Sequence, residues 1–255
     1  MATCASTQMS EQRGRPPQLT LDIPAEIFRS TPQLTADMPE CLAADMRGVE
    51  TCHKRVLTYG CSLTAQYSHA LSVQLQVTHG VRLWMCGLSG KRASELVRMA
   101  DHPAIPSETF PCRVGKGLSV VLAEDEPFEL ALIMAGTNDL GWNYPAEDVI
   151  KNIKRLHEIC HASGLRTVAL SIPPNINCVR SEDYRERWLQ VNNSLRDWSC
   201  AEGAAGGVAM FVDTADLVPF EAEKLNFYQL DGLHFSDEGC EHFASSLAPM
   251  IGALL

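Results

Sequence analysis

The 255-residue chain is 45% hydrophobic and 20% charged, with 31 acidic against 21 basic side chains and a formal net charge of −10. That length suits one α/β domain with a sizeable core, and the composition is that of a soluble globular protein. The acidity works against phosphate backbones and anionic membranes, so nucleic acid is not an expected partner, and no run approaches a membrane span.

Residues 1 to about 50 hold five of the 14 prolines and short apolar patches, with Leu19, Leu21 and Ile23 in alternation. They are expected to form an arm, partly extended or disordered, ahead of a domain spanning 51–255. Met1 to Pro17 is polar and lacks the apolar core of a secretory signal. The ten cysteines (4, 41, 52, 61, 86, 112, 160, 178, 200 and 240) include no close pair, and Cys86, Cys160 and Cys240 sit in apolar patterns, as reduced buried thiols do. A reducing, cytoplasmic location is expected, where the Asn192-Asn193-Ser194 sequon would stay unmodified.

From Arg55 onward, apolar runs alternate with helical periodicity. Strands are expected at 55–59, 81–86, 129–135, 166–172 and 208–212, and helices at 65–79, 90–100, 146–162, 182–202 and 237–254. Alternation of this kind predicts a three-layer α/β sandwich around a parallel sheet, whose inner strands should be continuously apolar, as Leu130 to Ala135 and Val168 to Ile172 are. Cys240, Phe243, Leu247, Met250 and Leu254 give the last helix its apolar face, with Ser236 or Asp237 capping it. Residues 101–128 interrupt the pattern: Pro103, Pro106 and Pro111 break the first half, and Leu118 to Ala123 fits a short helix. This insertion is expected to be either a wall of a substrate pocket or a plain surface loop.

Four segments place small or polar groups just past apolar runs: Gly60-Cys61-Ser62-Leu63, Leu88-Ser89-Gly90, Gly136-Thr137-Asn138-Asp139 and Asp231-Gly232-Leu233-His234. In this order and spacing they resemble the four blocks of the SGNH, or GDSL-type, hydrolases over roughly residues 55–250. The resemblance implies a flavodoxin-like fold, a nucleophile at Ser62, a base at His234, its orienting carboxylate at Asp231, and oxyanion donors at Ser62, Gly90 and Asn138. One departure stands out, since the acid that usually precedes the serine is Cys61 here.

Read from the residues alone, each position has a plainer explanation. Ser62 at a strand-to-helix turn reads as a helix cap, Gly90 as a helix start, Asn138 as a turn residue, and Asp231 before Gly232 as a turn aspartate. Convergence argues otherwise. Ser62, Gly90 and Asn138 all follow the carboxyl ends of expected parallel strands and would meet at one edge, and Asp231 lies three residues from His234, within reach on one turn. Asp213, ending the fifth strand, is a weaker substitute for Asp231. Trp142 and Asn143 beyond Asn138, and Phe227 and Tyr228 before Asp231, are expected to lend aromatic groups to a substrate pocket, with Trp142 and Tyr228 foremost.

Three other motifs compete. His157-Glu158-Ile159-Cys160-His161 has the spacing of a zinc peptidase helix, but Val149, Ile153, Leu156 and Cys160 make it a crossover helix. Gly115-Lys116-Gly117 lacks the third glycine and the strand of a dinucleotide loop. Gly60-x-Ser62 resembles an α/β-hydrolase elbow, yet those enzymes keep the acid far from the histidine. The expected activity is carboxylic ester hydrolysis through an acyl-serine, without metal or cofactor. The alternatives are acyl transfer or thioester cleavage at the same site, a non-catalytic SGNH-like binding protein, and a zinc peptidase.

Overall fold

The apolar runs of the sequence become five parallel strands: β1 (Arg55–Gly60), β2 (Arg82–Gly87), β5 (Leu130–Met134), β6 (Thr167–Leu170) and β7 (Val208–Val212). They are ordered β2-β1-β5-β6-β7 in a computed structural model that describes residues 54–106, 114–124 and 126–255. The expected arm at residues 1–50 and Cys4, Cys41, Cys52 and Cys112 lie outside the described residues. Burial follows position in the sheet. The inner strands β1, β5 and β6 are buried throughout, whereas β2, at the edge, exposes Trp84 and Met85.

Alternate side chains along each strand feed two cores, as the period of two requires. Val56, Leu132 and Leu170 face α1 (Ser62–His79) and α9 (Asp237–Gly252), meeting Leu63, Tyr67, Leu71, Phe243, Leu247 and Ile251. Leu57, Ile133 and Ala169 face the other layer, built from α2 (Ala93–Arg98), α3 (Leu118–Leu122), α5 (Ala146–Ala162) and α7 (Glu182–Ala205). The expected three-layer α/β sandwich is thus the observed fold. Between α2 and α3, β3 (Ile105–Pro106) and β4 (Val114–Gly115) pair antiparallel. Short helices α4 (Thr137–Gly141), α6 (Ile176–Arg180) and α8 (Thr214–Leu217) follow β5, β6 and β7, and a 3-10 turn (Ala222–Phe227) precedes the last loop.

Two boundaries move for identifiable reasons. The helix expected from residue 90 begins at Ala93, because Gly90 takes a left-handed φ of 81° and Arg92 becomes the cap, its backbone N–H donating to Glu95 Oε2 at 3.0 Å. The strand expected to reach residue 172 stops at Leu170, just ahead of the Pro173-Pro174 pair that has no N–H for the ladder.

Candidate active site

At the carboxyl end of β1, Gly60 lies level with Gly87 of β2 on one side and Met134 of β5 on the other. A Cβ at Gly60 would stand 1.9 Å from the Met134 carbonyl oxygen, so the three strands can close up only around glycine. The chain then turns directly into α1. Cys61, not Ser62, is the capping residue, and it offers no side-chain bond to the helix. Ser62 is the first helical residue, and its Oγ lies 3.0 Å from His234 Nε2.

His234 arrives on a loop closed by its own backbone. Gln229 N–H donates to the His234 carbonyl at 2.8 Å, Gly232 N–H donates to Gln229 at 2.9 Å, and Tyr228 bridges to Phe235. Asp231 organises the turn: Oδ1 accepts from the N–H of Leu233 at 2.9 Å and of His234 at 3.0 Å, while Oδ2 faces His234 Nδ1 at 2.6 Å. With a carboxylate against Nδ1, the imidazole carries its proton there and presents Nε2 to the Ser62 hydroxyl as an acceptor. Burial by itself would raise the Asp231 pKa, but the bonds from His234 and Leu233 outweigh it and hold the carboxyl below its ordinary value. Neighbours fix the loop from outside: Gln66 Oε1, one turn beyond Ser62 on α1, accepts from Phe235 N–H at 3.3 Å, and the Gly232 carbonyl accepts from Ile176 N–H at 2.8 Å.

Opposite this loop, two segments are laced together. Leu88 N–H donates to the Gly60 carbonyl at 2.8 Å, which carries the 88–91 turn alongside the start of α1. Asn138 Nδ2 donates to the Lys91 carbonyl at 2.8 Å, and Asp139 Oδ2 accepts from Ala93 N–H at 2.7 Å. The amide retains a second hydrogen beyond the one given to Lys91. Burial raises the Asp139 pKa against the bonds from Ala93 and Ser94. Arg187, on α7, holds the far side of the same turn through Nη1 to the Leu140 and Tyr144 carbonyls and Nη2 to Asn143 Oδ1. The sequence reading named Asn138 and Gly90 but missed the Lys91 carbonyl, Gln66 and Arg187. Their contacts span 47, 169 and 44 residues and have no local signature.

The remaining expected residues separate. Cys61 is fully buried, burial chiefly pushes its thiol pKa up, and the Asp139 carboxylate adds to that despite the bond from Leu63 N–H. Asp213 pairs with Arg196 and accepts from Ser171 and Ala215, away from His234. Trp142 is 48% exposed with the Arg92 guanidinium 5.5 Å from its ring. Tyr228, expected to line a pocket, is instead in the α1/α9 core: its hydroxyl donates to the Val218 carbonyl at 2.7 Å and its ring packs edge-on to Phe220 and Phe235. His157 and His161 both reach the Thr167 hydroxyl, at 2.8 and 3.0 Å. Thr167 begins β6, so these imidazoles lie at the amino edge of the sheet, opposite Ser62. Among the described residues no cluster of three or more His, Cys, Asp or Glu is arranged to hold a metal, and no helix is long and apolar enough to cross a membrane.

Comparison with known proteins bears on the fold and the family. The profile of the GDSL-like lipase/acylhydrolase family matches residues 57–242. Among curated proteins no match is found. Similar solved structures include a GDSL-like lipase from Bacteroides thetaiotaomicron (TM-score 0.57, 19% identity, 79% of this chain and 89% of that one). A lipase/acylhydrolase from Enterococcus faecalis gives 0.56, 20%, 78% and 96%. A G-D-S-L lipolytic protein from Veillonella parvula gives 0.59, 14%, 77% and 97%.

Proposed function

The chain belongs to the GDSL-like lipase/acylhydrolase family and is a hydrolase of the SGNH type, and from that premise we propose that it cleaves carboxylic esters through an acyl-Ser62 intermediate. The observation that carries this reading is the continuous line Asp231 Oδ2–His234 Nδ1 at 2.6 Å and His234 Nε2–Ser62 Oγ at 3.0 Å.

In the first half-reaction Ser62 Oγ bonds to the ester carbonyl carbon while its proton passes to His234 Nε2. Asp231 faces the imidazolium that results, and its lowered pKa keeps it anionic. The carbonyl oxygen, now an anion, takes hydrogen bonds from the N–H of Ser62, the N–H of Gly90 and the free hydrogen of the Asn138 amide. Collapse breaks the bond to the alcohol, which leaves with the proton from His234. In the second half, water gives a proton to His234 and attacks the acyl carbon; the acid departs and Ser62 recovers its hydrogen. Cys61, buried and held as the thiol, takes no part.

The test is turnover of p-nitrophenyl acetate by the purified chain and by Ser62→Ala. Hydrolysis that disappears in the variant supports the proposal. No turnover by the unaltered chain, or turnover that survives in Ser62→Ala, contradicts it.

A further inference from the structure

The bonds that close the His234 loop on itself fix its shape, but they do not place it against Ser62. Placement falls to Phe235, the residue after the histidine. Its side chain is 1% exposed and packs between Tyr228 and Phe243, with ring centroids 5.7 Å from each. That anchors one end of the residue in the core and leaves its backbone groups to be satisfied.

The bridge between Tyr228 and Phe235 decides where those groups point. Gln229 N–H donates to the His234 carbonyl and Ser236 N–H to the Phe227 carbonyl, so the ladder bonds belong to the flanking residues and Tyr228 and Phe235 form a non-hydrogen-bonded pair. In such a pair each residue's own N–H and C=O face away from its partner. Two side-chain amides meet them: Gln229 Nε2 donates to the Phe235 carbonyl at 3.0 Å, and Gln66 Oε1 accepts from the Phe235 N–H at 3.3 Å.

Gln229 belongs to the loop, whereas Gln66 belongs to the helix that begins with the nucleophile. Ser62 and Gln66 stand four residues apart on α1 and so share a face. His234 and Phe235 are consecutive. The Ser62–His234 bond at 3.0 Å and the Gln66–Phe235 bond therefore close a circuit through two short stretches of chain, 62–66 and 234–235. The second bond holds the partners of the first at their distance. Gln66 is itself only partly buried, and α1 keeps its packing through Leu63, Tyr67 and Leu71.

Resting on the ester-hydrolase reading, we propose that Gln66 is a positioning residue for the general base: through the Phe235 N–H, its amide oxygen sets His234 Nε2 against the Ser62 hydroxyl. Proton transfer is sensitive to this placement, since a shift of about 1 Å costs up to about a hundredfold in rate.

The experiment compares the unaltered chain with Gln66→Met, which keeps the length without the acceptor, and Gln66→Glu, which keeps an acceptor oxygen. Steady-state kinetics on p-nitrophenyl acetate and the rate of fluorophosphonate labelling at Ser62 are measured well below each protein's Tm. Gln66→Met is expected to lose roughly tenfold to a hundredfold in kcat, with KM little changed and labelling slowed in parallel. Gln66→Glu is expected to recover most of both. Should Gln66→Met fail to fold, Gln66→Ala takes its place. A Met variant within about threefold of the unaltered chain, whatever its Tm, overturns the positioning role and leaves ester hydrolysis intact. A Glu variant as slow as Met, or a loss confined to KM, also overturns it. An unaltered chain with neither turnover nor fluorophosphonate uptake overturns the hydrolase reading and the role of Gln66 with it.

Discussion

Asn138 Nδ2 donates to the carbonyl of Lys91 at 2.8 Å, joining the helical turn after β5 to the turn after β2 across 47 residues of chain. One hydrogen of the amide is spent on its own placement, which leaves the other with a defined direction.

Asn138→Ala is expected to fold and to lose roughly a hundredfold to a thousandfold in kcat, the usual worth of one oxyanion donor. KM should change little, because the second hydrogen bonds mainly to the transition state. Steady-state kinetics check this; kcat within about threefold of the unaltered chain would make Asn138 a turn residue only.

Asp139 performs the companion task by accepting from Ala93 N–H at 2.7 Å while almost completely buried. Asp139→Ala leaves that N–H without its acceptor at a cost of about 1–3 kcal/mol, and Tm should fall by roughly 3–10 °C. Asp139→Asn keeps an acceptor oxygen there and is expected to lose less, with kcat partly recovered. Thermal melts and kinetics on the pair test this, and two variants equal to the unaltered chain would refute it.

His157 makes the fold sensitive to acid. Burial lowers its pKa to about 3, with His161 adding to the effect, whereas the unfolded chain protonates near 6.5. The unfolded state therefore binds more protons between those values, and stability falls as pH drops from about 6.5 toward 3, by an amount on the order of a few kcal/mol. The lowered pKa of Asp231 acts in the same direction at the acid end, and the raised pKa of Asp139 opposes it. His157→Gln should be less stable at pH 7, having lost the imidazole from the Thr167 bond, but should decline less steeply below pH 6.5. Urea titrations from pH 7.5 to 4.5 compare the slopes; parallel curves would show that His157 is not responsible.

What the sequence made legible was the part governed by local pattern. Leu130 to Met134 is apolar at every position because both faces of that strand are covered, and such a run has few other readings. The Asp231–His234 pair was visible because three residues bring its members together without the rest of the fold. The short helix at Thr137–Gly141 was not read, since five residues cannot show a 3.6-residue period. Tyr228 was misplaced for a related reason: adjacency to Asp231 in sequence says nothing about which way the ring turns, and the Val218 carbonyl that takes its hydroxyl is ten residues upstream. The joints made by Lys91, Gln66 and Arg187 exist only once the sheet has brought distant segments to one edge.

The central claim is that Ser62, and not the adjacent Cys61, is the nucleophile. A fluorophosphonate followed by tandem mass spectrometry of the tryptic peptide spanning residues 56–82 locates the adduct. The account predicts modification of Ser62, loss of both labelling and turnover in Ser62→Ala, and most activity retained in Cys61→Ala. An adduct on Cys61, or turnover kept in Ser62→Ala and lost in Cys61→Ala, would contradict it and put a thiol mechanism in its place.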